Sequence, residues 1–327
     1  MTRLKDIAEV AGVSIRTVGR ALKGEGYVEA GVRERVLGAA RSLDYRPHRL
    51  ARSLRTGRSQ EVLVLAGGIG GQYDELHIAK IAGMERTLRA AGMSLGLLFG
   101  IESEARRAGR DVLDELIARR PAGLALFASA TLPATATARR LVQARVPYVF
   151  FDTREPDVDT VRHDRSGGVR EAVRWLAGRG HRRIAYIGSI EERSRLDGYH
   201  EALKALGREP LIVDCEAEYN AARAAAATLM ALKPDAVQVY SDILALGLLA
   251  GLHELGVRVP QDLAVVGFDD RFAASLSYPP LTTLQQSNEA MGAAAAAILI
   301  AKSRDETAPP GGWTRTLPMS LVIRAST

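Results

Sequence analysis

Arg16 and Arg20 stand four residues apart with Gly19 between them, so on a helix their guanidiniums share one face. A guanidinium is a planar fork of N–H donors that fits the O6 and N7 acceptors of guanine. Gly19 costs such a helix about 1 kcal/mol relative to alanine, and it lets the backbone come close to whatever the two arginines meet. Far downstream a different chemistry is offered by Asp152, His163, Arg195, Ser241 and Asp269, with Tyr73 as an aromatic platform. Carboxylates accept from hydroxyls and an arginine donates to them, so these residues suit a hydroxyl-rich small molecule.

The first set requires a small helical frame. Leu4, Ile7, Ala8 and Ala11 recur at helical spacing up to Gly12, and Ser14 can cap a second helix that buries Val18, Ala21 and Leu22. Val32, Val36, Ala40 and Leu43 predict a third helix, opened near Glu29 and closed before Tyr45. Two short helices joined by a tight turn and closed by a third make a helix-turn-helix, whose second helix enters the major groove. Its DNA-facing set is Ser14, Ile15, Arg16, Thr17, Gly19 and Arg20, with Arg16 the base reader, Arg20 on a base or phosphate, and Ile15 against a thymine methyl. Charge agrees: residues 1–58 hold 13 Lys and Arg against 6 Asp and Glu, whereas the other 269 hold 31 against 32. A basic head on a neutral body is the footprint of a polyanion-binding unit.

The stretch YRPHRLARSLRTGRS, residues 45–59, predicts a short hinge helix opened by Pro47 and ended by Gly57. Arg49 and Arg52 flank a small apolar stripe of Leu50, Ala51 and Leu54. Two such helices pairing through Ala51 can wedge their Leu54 side chains between base steps in the minor groove. So short a helix is marginal alone and is expected to order on DNA.

The second set requires a larger α/β frame. Apolar runs at 62–66, 94–99, 123–127, 147–151, 184–187, 211–213, 236–240 and 263–268 alternate with helical stretches such as 76–91, 167–179, 220–232 and 242–255. This pattern predicts parallel sheets covered on both faces, and the number of runs favours two doubly wound subdomains over one sheet. Ligands in such sheets bind beyond the carboxyl ends of strands, which is where Tyr73, Asp152, His163, Arg195, Ser241 and Asp269 fall.

At 327 residues and 47% hydrophobic, the chain has room for several cores. The single Cys215 excludes an internal disulfide, six scattered histidines suggest no metal set, and no cofactor is expected. GGIGG lacks the third glycine of a dinucleotide loop, and GxxxxGK[ST], HExxH and GxSxG motifs are absent, so no enzymatic activity is expected. There is no signal-peptide pattern or apolar membrane span, which implies a cytoplasmic protein.

Together LKDIAEVAGVSIRTVGRAL, RERVL, LDYRPHRLARSLRTG, GHRRIAYIG, RLDGYHEAL, LGVRVPQDLAVVGFDD and PPLTTLQQ resemble the lactose-repressor (LacI/GalR) family of bacterial transcription regulators, from residue 3 to 323. The resemblance implies a headpiece and hinge over 1–58 and an effector-binding core over 59–327, built as two subdomains of periplasmic-binding-protein type. Their expected extents are 59–160 with 288–318, and 161–287 with 319–327, with crossovers near 158–164, 285–288 and 317–321. It also implies a homodimer on a palindromic operator, controlled by a small-molecule effector, most often a sugar or sugar derivative and in a minority of members a nucleobase or nucleoside. By the same likeness Leu54 matches the intercalating leucine, Ile15 and Arg16 the specificity positions, Arg195 the effector clamp and Asp269 the first acid of the Gly-Phe-Asp-Asp motif. Gly19 stands at a customary serine and Ser241 at a customary asparagine. A sugar receptor with no role on DNA is the rival reading, and the basic headpiece opposes it.

Overall fold

The computed structural model describes residues 3–23, 26–45, 59–66, 75–99, 107–127, 132–309 and 312–327. They form two compact units, one up to Gln60 and one from Glu61 to Thr327. Arg49, Ala51, Arg52 and Leu54 of the expected hinge, and Tyr73, lie outside the described residues.

The first unit contains α1 (Leu4–Ala11), α2 (Ile15–Lys23) and α3 (Ala30–Ser42). Gly12 ends α1 with φ 65°, a left-handed conformation open to glycine, and Val13 N–H returns to the Ala8 carbonyl at 3.0 Å. At the start of α1 the backbone N–H of Arg3 donates to the Asp6 carboxylate at 2.8 Å. Ile7, Val18 and Val36, one from each helix, are fully buried at the centre of a core completed by alanines.

The second unit holds two six-stranded sheets. In the first, β1 (Glu61–Ala66), β2 (Ser94–Phe99), β3 (Gly123–Phe127), β4 (Tyr148–Phe151) and β5 (Thr160–His163) pair in parallel in the order 2-1-3-4-5. In the second, β6 (Ile184–Gly188), β7 (Leu211–Asp214), β8 (Ala236–Val239), β9 (Ala264–Asp269) and β10 (Thr282–Gln286) repeat that order. The sixth strands come from the chain's end: β11 (Arg315–Leu317) runs parallel to β5, and β12 (Met319–Val322) antiparallel to β10. The doubly wound pair of subdomains follows directly from this topology.

Between the strands run α4 (Glu75–Ala90), α5 (Val112–Ala118), α6 (Ala134–Gln143), α7 (Arg165–Gly178), α8 (Arg193–Leu206), α9 (Tyr219–Ala231), α10 (Asp242–Glu254), the short α11 (Phe272–Leu276) and α12 (Asn288–Ser303). After β5 the chain enters α7, which packs on the second sheet. After β10 it enters α12, which returns to the first, and Pro318 separates β11 from β12. Helices α4 and α12 meet through glycines. A Cβ on Gly292 would lie 1.8 Å from the Lys80 carbonyl oxygen, and one on Gly83 2.0 Å from that of Glu289. This close crossing fixes α4, which carries Glu75 and Lys80 into the site.

Candidate DNA interface and effector cleft

On the first unit, α2 turns Ile15, Arg16 and Arg20 outward while Val18 and Ala21 face the core. Ile15 is 51% exposed, which gives this otherwise basic face an apolar contact of the kind a thymine methyl accepts. Ser14 caps the helix: its Oγ accepts from Thr17 N–H at 3.1 Å and lies 2.9 Å from the Thr17 hydroxyl. Both hydroxyls are therefore already engaged at the helix start. Among the described residues nothing lies within 4 Å of a Cβ placed on Gly19, so the three-helix core does not require glycine there. Any requirement for it comes from outside.

In the second unit the matched topologies place chemically matched residues at corresponding strand ends. Asp152 follows β4 and His163 ends β5; Asp269 ends β9 and Gln286 ends β10. Both carboxylates sit on backbone with positive φ, 56° for Asp152 and 113° for Asp269, a conformation that costs free energy and gathers at functional sites. Gln286 donates its Nε2 hydrogen to Asp269. His163 lies with Nδ1 3.8 Å from Asp152, and neither of its nitrogens has a hydrogen-bond partner among the described residues.

Asp152 is paired on two sides, 3.1 Å from Lys80 Nζ and 3.1 Å from Arg165 Nη2. Burial would raise its pKa, but the charges of Arg165 and Lys80 and the contact with His163 win and hold the carboxyl well below the usual range. Asp269 goes the other way: burial pushes it up against the opposing charges of Arg195, Arg271 and Arg165. Its nearest guanidinium nitrogens are 3.8 Å away on Arg195 and 3.7 Å away on Arg271, too far for hydrogen bonds.

Arg195 is the most constrained group of the cleft. It is 7% exposed, and its guanidinium carbon lies 4.0 Å from the centre of the Tyr240 ring and 4.1 Å from that of Phe268. Its Nε has no hydrogen-bond partner among the described residues.

Ser241 follows β8 and also serves the local fold. Its hydroxyl caps α10 by accepting from Leu244 N–H at 3.4 Å, so the position serves the helix end. The adjacent Asp242 accepts from Phe268 N–H, Arg271 N–H and the Thr283 hydroxyl, at 2.9, 2.7 and 2.6 Å, and so braces the segment that carries Asp269.

Several residues of this cleft were not singled out from the sequence: Lys80, Arg165, Arg271, Gln286 and Asn288. The correspondence between Asp152–His163 and Asp269–Gln286 is the signal that could have found Gln286, because both pairs close the fourth and fifth strands of like sheets. Glu75, at the start of α4, reaches across to accept from Phe272 N–H at 3.1 Å. It lines, with Asp269, Gln286 and Asn288, a cavity of about 580 Å³.

A groove-reading helical unit followed by a two-subdomain core with a polar cleft defines a ligand-responsive DNA-binding regulator. The chain belongs to the LacI family of bacterial regulatory proteins: residues 3–48 match the family described by that name, and residues 173–327 a periplasmic binding protein-like domain. It is 32% identical over 314 residues to the ribose operon repressor of Escherichia coli K12, covering 92% of each chain. Among solved structures it is similar to a CelR–cellobiose complex, with 30% identity, TM-score 0.70 and full coverage of both chains. It is also similar to the lac repressor dimer bound to operator and the anti-inducer ONPF, with 26% identity, TM-score 0.79, and coverage of 99% of this chain and 98% of that one. These relatives are regulators of transcription, not enzymes. No helix among the described residues is long and apolar enough to cross a membrane.

Proposed function

We propose that the chain is a homodimeric repressor that binds a palindromic operator in the bacterial cytoplasm and changes its grip when a sugar or sugar derivative enters the core. Arg16 reads a base, Arg20 a base or phosphate, and Ile15 packs on a thymine methyl. Residues 45–58, with Arg49, Ala51, Arg52 and Leu54, form the hinge that wedges the minor groove at the operator's centre. Phe272, Leu276 and Tyr278, exposed by 70, 68 and 97%, give the core an apolar face for a second copy.

The effector lies against Asp152, His163, Arg195 and Asp269, joined by Arg165, Gln286 and Asn288. Ser241 flanks this set, and Tyr73 is a further candidate contact. The observation that carries the reading is Arg195: a buried arginine held over two aromatic rings, its Nε without a hydrogen-bond partner among the described residues, is a preorganised donor for a ligand. The ribose and cellobiose named for two relatives point the same way. Ligand bound between subdomains shifts the equilibrium between two arrangements of the core, and the hinge helices pair in only one of them.

The test is a thermal-shift panel of sugars, sugar derivatives, polyols and nucleosides on the full chain, with each hit examined for its effect on operator binding. A ligand at 100 times its dissociation constant adds about 2.7 kcal/mol, a readable shift. A hit that alters operator affinity supports the proposal. A panel without any stabilising carbohydrate contradicts it.

A further inference from the structure

Buried polar atoms in folded proteins are nearly always hydrogen-bonded, so the open ones in this cleft describe what it takes. Among the described residues the open acceptors are Asp152 Oδ1, Glu192 Oε2, Gln286 Oε1 and Asn288 Oδ1. The two amides are not free to turn over. Gln286 Nε2 donates to Asp269 and Asn288 Nδ2 donates to the Gln286 carbonyl, which leaves each side-chain oxygen as the available atom. Atoms that only donate include Nε of Arg165 and Nε of Arg195, while His163, Ser194 Oγ and Tyr186 Oη can work either way.

The charges are balanced as well. Lys80 and Arg165 are held by Asp152, Arg195 and Arg271 lie by Asp269, and Arg271 also approaches Glu75 at 4.0 Å. Glu192, whose other oxygen caps α8 through Ser194 N–H, adds a further carboxylate. Every described cation of the cleft thus has an anionic neighbour.

A phosphate or carboxylate ligand brings acceptors and negative charge to a site already supplied with both. Hydroxyl groups donate and accept at once, and they bring no charge. We propose that the effector is an uncharged polyhydroxy compound, a free sugar or glycoside, and that sugar phosphates and sugar acids are refused. Arg195 receives the ligand's oxygens, and its hydroxyl hydrogens go to Asp152, Glu192, Gln286 and Asn288. This inference rests on reading the cleft as a carbohydrate site.

The experiment titrates the full chain calorimetrically with matched sets: ribose with ribose 5-phosphate and ribonate, glucose with glucose 6-phosphate and gluconate, and cellobiose with cellobionate. At least one free sugar is expected to bind, with its anionic counterparts weaker by about 100-fold, because like charges brought together in a desolvated site repel strongly. Glu192→Gln should narrow that gap by about 10-fold, since it removes one carboxylate and keeps the side chain's shape. An anionic sugar that binds as tightly as its neutral partner overturns this inference and leaves the carbohydrate reading standing. A series in which no sugar of either kind binds overturns both.

Discussion

Replacing Arg195 by methionine removes the guanidinium while retaining an unbranched stem of similar reach beside Tyr240 and Phe268. Two contributions to stability change in opposite directions. Each cation–π contact is worth about 0.5 to 2 kcal/mol, so losing both costs roughly 1 to 4 kcal/mol. Against this, the variant no longer desolvates a charge whose nearest carboxylate is 3.8 Å away, outside hydrogen-bond range. The net loss is expected near 1 kcal/mol, a fall in Tm of about 2 to 4 °C for a chain of this size. Effector binding has no such offset. A hydrogen bond from a charged group contributes about 1.5 to 3 kcal/mol, and a guanidinium edge can make two, so affinity should drop by roughly 100-fold or more. Calorimetry on the variant reads the affinity and a melting curve reads the stability, while operator binding without effector should be unchanged. Full effector affinity together with a lower Tm would refute the reasoning and make Arg195 a brace for the two rings.

Arg16→Ala should weaken the selected operator by roughly 1 to 3 kcal/mol while leaving binding to random DNA nearly unchanged; equal losses on both would remove Arg16 from base reading. Gly292→Ala should destabilise the core by about 3 kcal/mol or more, because its Cβ would lie 1.8 Å from a backbone oxygen of α4; a Tm within 1 °C of the parent would contradict the tight crossing. Burial pushes the Asp242 carboxyl up to about 7, above its unfolded value, with the Thr283 hydroxyl and the backbone of Arg271 and Phe268 opposing and the nearby Asp269 charge adding to the rise. The folded chain therefore holds that proton where the unfolded chain has released it, and stability should decline as pH rises from about 4 through 7. Denaturant melts across that range should show the decline in the parent and a flatter profile in Asp242→Asn; an identical slope in both would contradict it.

The sequence carried the fold's main lines through strongly apolar runs. Segments such as Val62–Leu65 and Tyr148–Phe151 are buried on both faces, so their composition alone marks them as central strands. The segments around 158–164, 285–288 and 317–321, read as crossovers, lie at or beside strands: β5 with the sequence TVRH, β10 with TTLQQ, and β11 and β12 with RTL and MSLV. These are short and mixed in polarity, and their pairing is set by a neighbour distant in the chain. The same limit applied to the cleft. Acids at strand ends were legible because the α/β topology names those positions. Lys80 was not, because its partner Asp152 lies 72 residues away and only the crossing of α4 with α12 brings the helix there. Arg165 follows His163 by two residues, but its tie to Asp152 needs the passage from β5 into α7. Ser241 matched a family position by resemblance, and its local role at the start of α10 shows only in the hydrogen bond to Leu244.

The central claim is that one chain couples its cleft to its grip on DNA, and linkage makes that coupling measurable. Operator sites selected from random sequence would be titrated with the full chain by fluorescence anisotropy, with and without a sugar that raises its Tm. Operator affinity is expected to change by about 5- to 150-fold, with sugar affinity altered by the same factor when operator is present. A sugar that binds the core and leaves operator affinity untouched would contradict the claim.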